Sequence, residues 1–235
     1  MNGEDGLNLV RRIIMLKIEH LSKTFGKKQI LKDATFTFQE GGIYSLLGGN
    51  GSGRTVLLQC IANELSYDGG TITVDGGWRA SLASKHSIWP VYLTGYQLIK
   101  TISRHKDANE ILDRVNISMD IRNTLIKEYD FTTKKRLQLA MFLVQNPYTM
   151  IFDEPFDYCD EEYIDDFLRI LQEEKDNHII IISTGLLDIA KKISEDVLVI
   201  SDGELTFVKK HELELEEIDK AIQDMLGEDE DEEFH

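Results

Sequence analysis

A chain of 235 residues that is 42% hydrophobic and 29% charged can bury a sizeable core; it holds no run of the roughly 18 apolar residues that a membrane-spanning helix needs. Two cysteines, Cys60 and Cys159, exclude a disulfide framework, and the stretch at 10–16, short and broken by Arg11 and Arg12, does not read as a secretory leader, so a reduced cytoplasmic compartment is expected. The net charge of −16 is concentrated after residue 210, where twelve Asp or Glu stand against one Lys; the rest is only mildly acidic, which argues against nucleic acid as a partner.

In chain order, residues 1–14 read as an N-terminal extension and 15–19 as the start of a strand. Further strands are expected at 34–38 and 43–47, and a helix after Thr55. Asp68-Gly69-Gly70 marks a turn, 71–74 alternates as a strand, and Asp75-Gly76-Gly77 turns again. Residues 93–145 are mostly helical in pattern, with Leu98, Ile102, Ile111, Leu112 and Val115 on apolar faces. Buried strands follow at 148–152 and 178–183, with a helix between them carrying Ile164, Phe167, Leu168 and Leu171 on one face. A hairpin closes around Asp202-Gly203. Residues 211–226 have the pattern of an amphipathic helix, and the acidic run 228–233 repels itself and is expected to be disordered, as a solubilising tail or as a docking tail for a basic partner. Alternating strands and helices imply an α/β fold. The expected division is a domain at 15–210, with a helical subdomain inserted at about 86–146, and a tail at 211–235.

Two motifs carry chemistry. Gly48-Gly49-Asn50-Gly51-Ser52-Gly53-Arg54-Thr55 has the spacing of a phosphate-binding loop, GxxxxGK(S/T), with Arg54 in place of lysine, and it lies between a strand and a helix as that motif requires. Glycines let consecutive N–H groups turn toward phosphate oxygens, the helix that begins near Val56 adds its N-terminal partial charge, and Thr55 can place a hydroxyl on Mg²⁺. Such a loop can also be a plain turn. The second motif, Met150-Ile151-Phe152-Asp153-Glu154-Pro155, ends an apolar strand in two carboxylates. Asp153 can hold Mg²⁺ through water and Glu154 can act as a general base; alone, the pair can also be a structural cap.

In this order the motifs resemble those of the ATP-binding cassette ATPases, over about residues 15–208. The resemblance implies a P-loop NTPase-like core with a mostly parallel sheet, an N-terminal antiparallel β subdomain and an inserted α-helical subdomain. It implies ATP and Mg²⁺ as ligands, Phe25 stacked on adenine, Asp153 and Glu154 as the Walker B aspartate and catalytic glutamate, and Asp160 in the loop that communicates between paired subunits. Four positions depart from the pattern. Arg54 keeps the charge of the P-loop lysine but not its shape. Tyr129-Asp130-Phe131-Thr132-Thr133 stands where the family has LSGGQ, so a carboxylate and bulkier side chains replace groups that grip the partner's nucleotide. Gly185 stands where a histidine contacts the γ-phosphate. Lys85, beside His86, aligns with the glutamine of the Q-loop. The resemblance implies a membrane permease and a second ATPase subunit as partners, a heterodimer before a homodimer, and a peripheral place on the inner membrane face. The reading is a divergent ATP-binding subunit of an exporter with slow or impaired hydrolysis; the alternative is an inactive nucleotide-binding module paired with an intact subunit. Trp89, Tyr92 and Tyr96 are either core packing or a docking patch.

Overall fold

The computed structural model describes residues 14–75, 77, 80–85, 87–103, 105–194, 196–209, 212 and 216–226. The expected N-terminal extension, apart from Ile14, the acidic run at 228–233, Gly76 and His86 lie outside the described residues.

Two sheets organise the chain. Strands β1 (Met15–Phe25), β2 (Lys28–Gln39) and, later, β4 (Gly69–Val74) form an antiparallel sheet in the order β2-β1-β4. Between them come β3 (Ile43–Leu47) and helix α1 (Arg54–Ile61). The second sheet collects β3, β5 (Ala80–Ala83), β6 (Thr149–Phe152), β7 (Ile179–Thr184), β8 (Asp196–Ser201) and β9 (Glu204–Lys209) in the order β5-β6-β7-β3-β8-β9. It is parallel except for the β8–β9 hairpin. Every residue of β3, β6 and β7 is buried, as expected of central parallel strands covered on both faces. Strand β5, absent from the sequence reading, is four residues long with one fully buried residue, too short to show a period.

The middle of the chain is helical: α2 (Gly95–Ile102), α3 (Ala108–Arg114), α4 (Met119–Arg122) and α5 (Phe131–Gln145). Local chemistry sets their starts. Thr94 forms a capping box with Gln97, and Asp107, Ser118 and Asp130 each accept a backbone N–H of the first turn. Leu98, Ile99, Leu112 and Val115 are core residues, and Trp89 and Tyr96 pack against them, whereas Tyr92 is exposed. Helix α6 (Glu161–Glu174) follows β6, α7 (Leu187–Ile193) follows β7, and α8 (Glu216–Leu226) seats Ile222 on a cluster with Leu47, Leu187, Val197, Val199 and Val208.

Phe152 joins these parts. Its ring lies 4.7 Å from that of Phe142 on α5 and 5.0 Å from that of Phe167 on α6. It is also the last residue of β6, immediately before Asp153. Phe152→Ala should lower stability by about 3–5 kcal/mol, measured as a shift of the urea midpoint at unchanged slope. A loss of less than about 1 kcal/mol, the range of volume-conserving swaps, would show that α5, β6 and α6 do not pack through this ring.

Candidate functional site

The carboxyl ends of β3, β6 and β7 lie side by side, because β7 pairs with both β3 and β6. The loop from Gly48 to Gly53, the Asp153-Glu154 pair and the Ser183-Thr184-Gly185 segment therefore meet at one edge, where open α/β sheets bind ligands. Gly53 caps α1 with φ 109°, a left-handed conformation that favours glycine. On the outer side of the loop, a Cβ added at Gly49 would fall 2.5 Å from the Leu226 carbonyl oxygen, so the end of α8 lies directly on the loop.

Asp153, 2% exposed, ties the three segments together. Thr55 donates its hydroxyl to Asp153 Oδ2 at 2.9 Å, and Ser183 donates to Oδ1 at 2.6 Å. Ser183 Oγ in turn accepts the Glu154 N–H at 2.9 Å. Ser183 carries this arrangement, yet as one hydroxyl at the end of an isoleucine run it has no sequence signal.

Glu154 is surrounded by cations. Arg54 Nη2 donates to Oε1 at 2.7 Å, Lys85 Nζ pairs with Oε2, and Lys135 Nζ reaches the Glu154 carbonyl oxygen at 3.2 Å. Lys85 also meets Asp157 Oδ2 at 2.8 Å. Hydrogen bonds to Asp157 and Glu154 raise the Lys85 pKa well above the ordinary lysine range, whereas burial lowers that of Lys135. Lys85 thus has a definite place beside the candidate base. Lys135, a single lysine on a helix with a buried face, is invisible to pattern reading. Glu154 itself has φ 48°, an uncommon conformation for a residue with a side chain.

A cavity of about 360 Å³ runs from Phe25, which is half exposed, past Gly49, Asn50, Gly51, Ser52, Gly53, Arg54, Thr55 and Val56 to Lys85 and Glu154. A second, of about 640 Å³, shares Asn50, Arg54, Lys85 and Glu154 and continues to Asp157, Ser183 and Gly185. All the residues expected at the site converge here; Gly48 lies beneath the loop against Ile200, and Asp153 beneath Thr55. Two buried polar atoms, Ser52 Oγ and Arg54 Nη1, have no hydrogen-bond partner among the described residues. Such orphans fit an anionic ligand in the cradle. Thr55 and Asp153 supply one hydroxyl and one carboxylate, a set that suits Mg²⁺ when phosphate oxygens and waters complete the shell.

Asp130 and Asp160 have local work. Asp130 caps α5, accepting the Thr133 N–H at 2.7 Å, and Asp160 caps α6, accepting that of Tyr163 at 2.8 Å. The hydrogen bonds from Thr133 hold the Asp130 carboxyl below its ordinary pKa. A depressed carboxyl pKa contributes stability above the unfolded-state value and loses it as pH falls through the folded-state value. Asp130→Ala should cost about 1 kcal/mol at neutral pH, and the gap to wild type should close as the solution is acidified into the carboxylate range. Thermal melts across pH test this; a gap independent of pH would remove the charge from the explanation.

The family model described as ABC transporter matches residues 31–157. The uncharacterized ABC transporter ATP-binding protein YdbJ of Bacillus subtilis is 29% identical over 228 residues, spanning 89% of this chain and 72% of its own length. The lantibiotic transport ATP-binding protein SrtF of Streptococcus pyogenes is 27% identical over 211 residues, spanning 84% and 92%. Among solved structures, a dimeric ATP-binding cassette in a post-hydrolysis state with ADP and Pi has a TM-score of 0.73 at 18% identity, covering 83% of this chain and 98% of its own; that likeness is one of fold.

Proposed function

The chain belongs to the ABC transporter ATP-binding family, and from that premise we propose that it is a divergent subunit which binds Mg-ATP tightly and hydrolyses it slowly. The observation that carries this reading is the double ion pairing of Glu154 by Arg54 and Lys85. A general base needs an available lone pair and a basicity near the working pH. A carboxylate with each oxygen already paired to a cation presents no unengaged oxygen to a water until one of those cations finds another anion. Binding is less affected: the loop, Thr55 and the cavity toward Phe25 supply phosphate, metal and base contacts without Glu154. Phe25 presents a half-exposed ring to adenine. When bound, Mg²⁺ would be held by Thr55 and, through water, Asp153, and would neutralise charge on the terminal phosphates.

Among the described residues no helix is long and apolar enough to cross a membrane. On the family resemblance, the proposed partner is a permease on another chain, with the subunit peripheral to the membrane. Export is the proposed direction, on the sequence resemblance alone. The proposed second ATPase subunit is a different, intact one: this chain brings Arg54 and Gly185 to one shared site, and Asp130 and Phe131 to the other. A non-hydrolysing module is the second reading, favoured by the same pairing of Glu154.

Calorimetry with Mg²⁺ and either ATP or ADP, with phosphate release followed in the same sample, tests the proposal. Glu154→Gln should keep ATP binding and reduce release by about 100-fold or more. Binding with no release from the wild type would select the non-hydrolysing module, and release unchanged in the variant would exclude Glu154 as the base.

A further inference from the structure

Residues 54 and 185 belong to different segments, the start of α1 and the turn just after β7, yet they are neighbours in space. A Cβ built on Gly185 would lie 3.5 Å from Arg54 Nη1, 3.7 Å from Nη2 and 3.8 Å from the Gly48 carbonyl oxygen. That first carbon would sit in ordinary contact, and a longer side chain would compete with the guanidinium for the space beyond it. The backbone at Gly185 is not in the left-handed region and a first side-chain carbon fits there, so what the neighbouring guanidinium limits is a side chain that extends further.

The guanidinium in that space is half used. Arg54 is 6% exposed. Nη2 holds Glu154 Oε1, whereas the buried Nη1 has no partner among the described residues. A buried charged donor without an acceptor is costly. Arg54 lines both cavities, the one along the phosphate-binding loop and the one that continues to Gly185. A planar fork with one branch engaged and the other open is suited to bridging two oxyanions.

We propose that Arg54 is a bridging residue: Nη1 takes an oxygen of the nucleotide's terminal phosphate while Nη2 keeps Glu154 in place, and the lack of a long side chain at position 185 leaves the guanidinium its room. The proposal deepens the nucleotide-binding reading above and rests on it for the phosphate. It assigns Arg54 two simultaneous contacts, which the single point charge of a lysine at 54 does not supply in the same geometry. It also makes positions 54 and 185 a coupled pair.

The test is a double-mutant cycle on the full chain with Gly185→Leu, Arg54→Lys and the two combined. Affinities for ATP and ADP with Mg²⁺ and the melting temperature without nucleotide are read for each. Gly185→Leu alone should weaken ATP by about tenfold, the scale of coupling between residues in contact, with ADP much less affected and a lowered melting temperature. In the Arg54→Lys background the same leucine should cost little, because the shorter side chain vacates the space. Arg54→Lys alone should narrow the preference for ATP over ADP. Equal effects of leucine in both backgrounds would overturn the coupling, and equal losses for ATP and ADP in both single variants would overturn the terminal-phosphate contact. If the wild type binds neither nucleotide, the nucleotide-binding reading itself fails and the phosphate contact with it; the melting temperatures then still decide whether positions 54 and 185 share the space.

Discussion

The buried carboxylate of Asp153 is the contact on which the site depends. It is bonded to Thr55 at the start of α1 and to Ser183 near the end of β7, so one side chain joins the ends of β6 and β7 to the start of α1. A carboxylate that is 2% exposed is tolerated only when its oxygens are satisfied, and here two hydroxyls satisfy them. The same hydroxyl of Ser183 fixes the Glu154 N–H, so the position of the candidate base follows from the position of its neighbour.

Around that anchor the charges form a closed local network. Arg54 comes from α1, Lys85 from the segment after β5, and Lys135 from α5. These link the phosphate-binding loop, the sheet edge and the helical middle of the chain through Glu154. Lys135 also stands 5.1 Å from the centroid of the Phe131 ring, which itself meets Tyr158 edge to face at 6.1 Å. A change that drew Lys85 away from Glu154 would therefore act on groups already in contact with the first turn of α5.

Residues around the site also carry structural work. Asp130 begins a 15-residue helix with a charged cap, and its carboxylate occupies the helix's own N-terminal partial charge. An anion approaching that end meets a negative group. Gly185, distant from Arg54 in the chain, lies beside its guanidinium: a Cβ there would stand 3.5 Å from Nη1. The Leu226 carbonyl against Gly49 likewise places the last described turn of α8 on the phosphate-binding loop.

The sequence alone determined the order of the main elements, because their patterns are local: an apolar strand followed by a glycine-rich loop, a strand ending in two acids, and helical periods between them. It also located the glycine-rich loop and the Asp153-Glu154 pair as segments, since each lies within a few residues of chain. It missed β5, whose four residues are too few to show a period, and it could not see Ser183 or Lys135 at the site, since a lone hydroxyl or lysine has no periodicity. Only the tertiary structure decided which charges meet. The partners of Glu154 lie 100 residues upstream at Arg54 and 69 at Lys85, and strand order, not chain distance, brings them together. The relation between Arg54 and Gly185 is decided the same way: Gly185 lies just past β7, and its closeness to the guanidinium is a property of the packed molecule.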